Sequence, residues 1–255
     1  MKWISQDQLS VELYSNRAKM GAAAAKDAAQ CLRSALDQQE TVTVIFAAAP
    51  SQNEFLAALC NESNVDWKRV NALHMDEYIG LAADAPQGFG NFLKERIFSR
   101  LPFRSVEYLD GLAEDIDGEC ARYSRIIEDN RPDMVFMGIG ENGHIAFNDP
   151  AVADFEDPEA VKEVLLDERC RMQQVHDGCF GAIGEVPRSA LTLTIPTLMR
   201  CKKILCIVPA ATKAVAVART LYGPIATSCP ASILRRHVDA TLYLDAASAS
   251  LLKEV

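Results

Sequence analysis

Hydrophobic positions change their rhythm several times along the chain, and each change marks an element. Residues 7–36 form an Ala-rich amphipathic stretch, including the run Ala22-Ala23-Ala24-Ala25, whose composition predicts a helix. Residues 41–46, Thr-Val-Thr-Val-Ile-Phe, break that rhythm. They are β-branched or apolar throughout, as suits a strand buried on both faces of a parallel sheet. Similar short runs recur at 70–75, 133–138, 191–195, 203–208 and 241–244, mostly separated by helical patterns at 89–98, 117–127 and 212–221. Strands alternating with helices predict an α/β sheet with right-handed crossovers. Between Pro150 and Pro187 the rhythm dissolves into a polar passage rich in Asp and Glu, too long for an ordinary connector. Residues 150–187 are therefore expected to form a lid over a site, the alternative being an extra surface excursion.

Composition narrows the class. A chain of 255 residues, 49% hydrophobic and 24% charged, buries a sizeable core and is expected to fold as one domain over residues 1–255. A net charge of -9 disfavours a partner such as nucleic acid, whose phosphates require a basic face. No apolar run reaches the roughly 18–20 residues of a membrane span, and Met1-Lys2-Trp3-Ile4-Ser5 lacks the apolar core of a signal peptide. A cytoplasmic location without a membrane partner is expected. The eight cysteines are scattered with no CxxC pair, and Cys31, Cys60 and Cys206 fall in apolar periodic stretches. Reduced thiols packed as small hydrophobes and no metal site are expected, with Cys179 or Cys229 as the thiols that could lie near a site.

In such a sheet ligands bind beyond the carboxyl ends of the strands, so the segments that follow strands carry the candidate chemistry. His74-Met75-Asp76-Glu77-Tyr78 follows the strand ending near Leu73. A desolvated carboxylate there has a raised pKa and serves as a base, whereas a plain Asp-Glu turn would be solvated. The run Gly138-Ile139-Gly140-Glu141-Asn142-Gly143-His144-Ile145-Ala146-Phe147-Asn148-Asp149-Pro150 follows the next apolar strand. Its glycines, Gly140 among them, let the backbone approach a ligand and place His144 and Asp149 in one loop, an arrangement suited to proton transfer or simply to a surface turn. Neither a dinucleotide nor a Walker glycine pattern is present. After residues 41–46 comes Ala47-Ala48-Ala49-Pro50-Ser51-Gln52-Asn53-Glu54, where Ser51 either contacts a phosphate or caps a helix in a Ser-x-x-Glu box. Lys213 starts the helix after residues 203–208, where a first-turn lysine is unfavourable beside the helix dipole unless an anion joins it.

Together these segments resemble the glucosamine-6-phosphate deaminase family, whose superfamily includes 6-phosphogluconolactonases. The resemblance covers nearly the whole chain. It is carried by Met75-Asp76-Glu77-Tyr78-Ile79-Gly80-Leu81 and Gly138 to Pro150, with support from Val186-Pro187-Arg188-Ser189-Ala190-Leu191-Thr192 and the spacing to Lys213. The His-Ile-Ala-Phe-Asn run is similar to the deaminase branch. The resemblance implies that Asp76 moves a proton between C2 and C1 of an open-chain sugar. It implies that His144 opens the ring, with Asp149 in place of the family's glutamate, and that Ser51 and Lys213 contact phosphate. Three positions depart from the pattern: Ala47 to Gln52 replaces a glycine-rich phosphate turn, Asn142 stands where the family has aspartate, and Gln174 stands where it has a phosphate-binding arginine. Asn142 is expected to hydrogen-bond His144 without adding charge.

The expected protein is thus a single-domain, three-layer α/β/α, Rossmann-like enzyme with a mostly parallel sheet and a lid. It is expected to isomerise and deaminate an amino-sugar 6-phosphate, glucosamine 6-phosphate by default, with no cofactor. A lactonase or another sugar-phosphate isomerase, and a non-catalytic sugar-phosphate sensor, are the alternatives. Homo-oligomerisation stays open.

Overall fold

The computed structural model describes residues 2–253; Met1 and the last two residues lie outside it. In chain order the elements are β1 (Lys2–Gln6), β2 (Leu9–Tyr14), α1 (Arg17–Leu36), β3 (Val42–Phe46), α2 (Asn53–Leu59), β4 (Val70–His74), β5 (Asp76–Tyr78), α3 (Phe89–Leu93), β6 (Ser105–Glu107), α4 (Ile116–Asn130), β7 (Met134–Met137), β8 (Val161–Leu165), α5 (Glu168–His176), β9 (Ser189–Leu193), α6 (Ile195–Met199), β10 (Lys203–Val208), α7 (Ala214–Tyr222) and β11 (Ala240–Asp245).

Eight strands form the central sheet in the order β1-β2-β11-β10-β7-β3-β4-β6. All pairings are parallel except β1 with β2. The two-residue side-chain period of each strand divides the core into two layers. Val42, Val44, Phe46, Phe136, Leu205, Ile207 and Tyr243 pack on one face with α1 and α2, while Ile45, Val135, Met137, Ile204, Cys206, Leu242 and Leu244 pack on the other with α4, α6 and α7. This is the expected α/β sandwich of helices around a mostly parallel sheet. From β3 the chain moves outward through β4 to β6, then returns to place β7 on the opposite side of β3. The β3–β7 pair is therefore the switch point at whose carboxyl end a ligand crevice opens.

Three expectations need correction. The helix expected from residue 7 begins only at Arg17, because Leu9, Val11 and Leu13 alternate at the strand period and β2 adds to β11. Asn16 then caps α1, its side chain accepting from the Lys19 amide at 2.9 Å. Residues 191–195 do not join the central sheet: β9 lies between β5 and β8 in a separate antiparallel sheet of three strands. Finally, the 150–187 passage is not without regular structure. It contributes β8 to that small sheet and carries α5, capped by Asp167 through the Cys170 amide. Few apolar residues mark α5, which hid it from a periodicity reading.

Candidate active site

The ends of four parallel strands converge on one cleft. It is lined by Ala47–Ala49, Ser51 and Gln52 after β3, by Met75 and Asp76 after β4, by Gly138–Gly140 and His144 after β7, and by Lys213 after β10. Phe89, Phe147, Gln173, Gln174 and Asp177 close it from α3, the β7 loop and α5. Six of the eight residues singled out in the sequence thus share one wall-to-wall cavity: Ser51, Asp76, Gly140, His144, Gln174 and Lys213. The other two, Asn142 and Asp149, stand behind His144.

Asp76 opens β5 and is only 7% exposed. Burial, and then the neighbouring Glu77, push its carboxyl well above the usual carboxylate range. Among the described residues its carboxylate oxygens accept no hydrogen bond. Its placement is instead held through its backbone: the His74 ring, fully buried, bonds the Asp76 carbonyl through Nδ1 at 2.9 Å and takes the Leu109 amide on Nε2 at 3.0 Å. Since the amide must donate, Nδ1 carries the hydrogen and His74 is neutral, consistent with burial lowering its pKa. Glu77 points away from the cavity and accepts from the amides of Tyr78, Phe89 and Gly90 at 2.9, 3.0 and 2.8 Å. The last two bonds tie the start of α3, and with it Phe89, to the strand that carries Asp76.

His144 sits on a loop shaped by glycine. Gly143 has φ +91, a conformation L side chains rarely adopt. Gly140 lies so close beneath the imidazole that a Cβ there would be 2.2 Å from Nε2 and Cε1. His144 Nδ1 is 2.8 Å from Asp149 Oδ1, and Asp149 is 1% exposed. Burial raises the Asp149 carboxyl, but the imidazole and the Asn142 amide outweigh it and hold the group below its ordinary value. A carboxylate on Nδ1 orients the ring and leaves Nε2, over Gly140, as the nitrogen free to exchange a proton. Asn142 hydrogen-bonds His144 as expected, at the backbone and not at the ring. Its Oδ1 accepts from the His144 backbone amide at 3.0 Å and its Nδ2 donates to Asp149 Oδ1 at 2.8 Å, so it braces the carboxylate rather than the imidazole.

At the far end Lys213 is 4% exposed. Burial lowers its pKa, while Asp177 and Glu141 act in the opposite direction. The capping box at Ser51 is not formed: no side chain caps α2, and Glu54 pairs with Arg17 at 2.8 Å. Gln52 instead donates from Nε2 to Ser51 Oγ at 3.2 Å and to the Ile207 carbonyl at 3.1 Å. With Oγ already accepting, the Ser51 hydroxyl hydrogen is free for an anion beside Lys213. Gln174 lines the cavity without a charge to offer, and its neighbour Gln173 accepts from the Glu141 amide at 2.7 Å.

Sequence reading missed Gln52, Gln173, Asp177 and the buried Cys170, whose thiol lies beside Asp149. None has a local signal beyond polarity, since each acts through contacts far away in sequence. All eight cysteines are free, and among the described residues no helix is long and apolar enough to cross a membrane.

Comparison with known proteins gives the family. A family model described as glucosamine-6-phosphate isomerases/6-phosphogluconolactonase matches residues 15–243. The glucosamine-6-phosphate deaminase of Lactobacillus delbrueckii subsp. bulgaricus is 37% identical over 191 residues, which is 75% of this chain and 80% of the relative. That of Listeria innocua is 36% identical over 211 residues, covering 83% and 88% respectively. Among solved structures, a monomeric glucosamine-6-phosphate deaminase superposes with a TM-score of 0.85 at 28% identity, covering 94% of this chain and 99% of that one. A Thermotoga maritima 6-phosphogluconolactonase shares the fold at a TM-score of 0.76 and 17% identity, covering 93% and 99%.

Proposed function

Because the chain belongs to the glucosamine-6-phosphate isomerase/6-phosphogluconolactonase family, we propose that it works as a deaminase of that family, converting glucosamine 6-phosphate and water to fructose 6-phosphate and ammonia. The carrying observation is Asp76, a buried carboxylate of raised pKa without a hydrogen-bond partner among the described residues, facing the same cavity as His144. A buried charge unsupported by the fold is costly and marks a group kept for chemistry.

The steps follow from the placement. The phosphate lies at Lys213 and Ser51, which orients the sugar along the cavity toward His144. His144 Nε2 takes the proton of the anomeric hydroxyl and returns one to the ring oxygen, opening the pyranose, while Asp149 supports the charge that passes through the imidazole. Asp76 then removes the C2 proton of the open aldose, giving an enolamine, and delivers a proton to C1. Water adds to the resulting C2 iminium, and ammonia leaves with the ketose phosphate as product. Every step is proton transfer, bond hydration or elimination. The 150–187 passage, which supplies α5 to the cavity wall, serves as the cover over the sugar.

A lactonase would have no use for Asp76, since lactone hydrolysis needs a water activated by His144 and no proton shuttle between two carbons. The two are separated by incubating the protein with glucosamine 6-phosphate and with 6-phosphogluconolactone. Ammonia and ketose phosphate in equal amounts support the deaminase. Lactone hydrolysis alone refutes it, and saturable binding without product makes the protein a sensor.

A further inference from the structure

Three side chains behind the ring of His144 belong to different chemical classes and meet in one buried spot. The Nδ1 of His144, a carboxylate oxygen of Asp149 and the Sγ of Cys170 all lie within 4.8 Å of one another. They come from two elements, the loop after β7 and helix α5, so the fold and not sequence proximity assembles them. All three residues are less than a tenth exposed. The Asn142 amide and the imidazole both engage Asp149 Oδ1, while Oδ2 is buried and accepts no nitrogen or oxygen donor among the described residues, leaving the Cys170 thiol as the group that bears on this carboxylate. A buried carboxylate that meets a thiol and an imidazole offers a cation the place of the thiol proton.

The donor set selects the ion. One nitrogen, one oxygen and one sulfur suit a borderline-soft divalent metal and disfavour magnesium or calcium, which take oxygens alone. Zinc binds these donors at about 2.0–2.3 Å, which puts any two ligands roughly 3.5 Å apart in a tetrahedron. The cluster needs to contract by about 1.3 Å at most to reach that spacing. Three protein ligands leave the fourth position to water.

We propose that His144, Asp149 and Cys170 form a zinc site which, when filled, takes the ring-opening pair out of service. On binding, three metal–ligand bonds form. The Cys170 thiol proton is released to solvent, and the imidazole hydrogen moves from Nδ1 to Nε2, so the Nδ1–H···Asp149 bond is lost and Nε2 no longer accepts a proton. Because the ion engages the imidazole and neither the Ser51 hydroxyl nor the Lys213 ammonium, zinc lowers kcat and leaves KM for the sugar phosphate little changed.

Cobalt(II), a spectroscopic stand-in for zinc, tests the site without reference to any substrate. The expected result with the full chain is one equivalent of Co²⁺ bound with a thiolate-to-metal charge-transfer band in the near ultraviolet, displaced by Zn²⁺. The band disappears in Cys170→Ser and persists in Cys229→Ser, and Asp149→Asn weakens binding at least tenfold; if the serine variant fails to fold, Cys170→Ala replaces it. Titration of ZnCl₂ into the enzyme should lower kcat reversibly, with recovery on adding EDTA. Absence of a thiolate band, or a band unchanged by loss of the Cys170 sulfur, overturns the site. A protein that binds cobalt through Cys170 but releases no ammonia from any amino-sugar phosphate upholds the site and removes the proposed activity instead.

Discussion

Replacing Asp76 by asparagine separates chemistry from structure more cleanly than any other change in this protein. The side chain is 7% exposed and its oxygens take no hydrogen bond from the described residues, so an amide of the same shape forfeits no structural contact. What disappears is the base. Loss of a positioned general base costs about 10²- to 10⁴-fold, or roughly 2.7–5.4 kcal/mol at 1.36 kcal/mol per decade, and the cost falls on kcat because the substrate contacts proposed at Ser51 and Lys213 are untouched. Stability moves the other way. The carboxyl is held above its ordinary value in the folded protein, so the folded state binds more protons than the unfolded one and loses stability as pH rises from the unfolded value through the folded one. Asparagine removes that penalty, and at neutral pH Tm should match or exceed that of the parent. The acidic limb that Asp76 imposes on the pH–rate profile should vanish from whatever activity remains. Steady-state kinetics on glucosamine 6-phosphate, together with thermal melts across pH, check both arms. A kcat loss under tenfold, a loss residing in KM, or a lowered Tm would show that Asp76 is a structural residue.

Three further substitutions follow from the geometry. Gly140→Ala drives a methyl to 2.2 Å from the His144 ring, so the ring must swing off its carboxylate; kcat should fall by at least tenfold with the phosphate site intact, and an unchanged kcat would mean the ring is not used where it lies. Lys213→Met removes a buried charged donor worth about 1.5–3 kcal/mol, so KM for the phosphorylated sugar should rise roughly 10- to 150-fold, while any turnover of unphosphorylated glucosamine should stay the same. Asn142→Asp replaces the amide donor 2.8 Å from Asp149 Oδ1 with a second carboxylate, which raises the pKa of the pair in the folded state. Its Tm deficit should therefore be small in acid and grow as pH rises, and a deficit independent of pH would show that the two groups do not interact.

How much of this was legible in the sequence differs from element to element. The central strands β3, β4, β7, β10 and β11 are buried on both faces, so each is a short continuous apolar run that announces itself locally. The segments that follow them carry Ser51, Asp76, His144 and Lys213, and a parallel sheet brings all its carboxyl ends to one side; gathering these residues in one cavity needed only the rule and the motifs. Local reading failed where a partner from elsewhere decides the outcome. β2 looked like the start of a helix because the alanines just after it dominate the window, yet β11, more than two hundred residues later, supplies its parallel neighbour. β9 reads like any other buried strand, and only its antiparallel partners β5 and β8 place it outside the main sheet. The Ser51-x-x-Glu54 pattern satisfies the capping rule, but Arg17 claims Glu54 and Gln52, anchored on Ile207, claims Ser51.

The same division runs through the chemistry. Residue types and their order along the chain determined that this is an α/β enzyme of this family with a carboxylate, an imidazole–carboxylate pair and a lysine at strand ends. Tertiary structure alone decided which atoms meet: that Asn142 braces Asp149 and not the ring, that Asp76 is buried without a partner among the described residues, and that Cys170 from α5 joins the His144 pair. The physical reason is range. Periodicity, capping and turn chemistry are fixed by neighbours within a few residues, whereas burial, pKa and the direction of a hydrogen bond depend on groups that the chain brings together only when the whole sheet has formed.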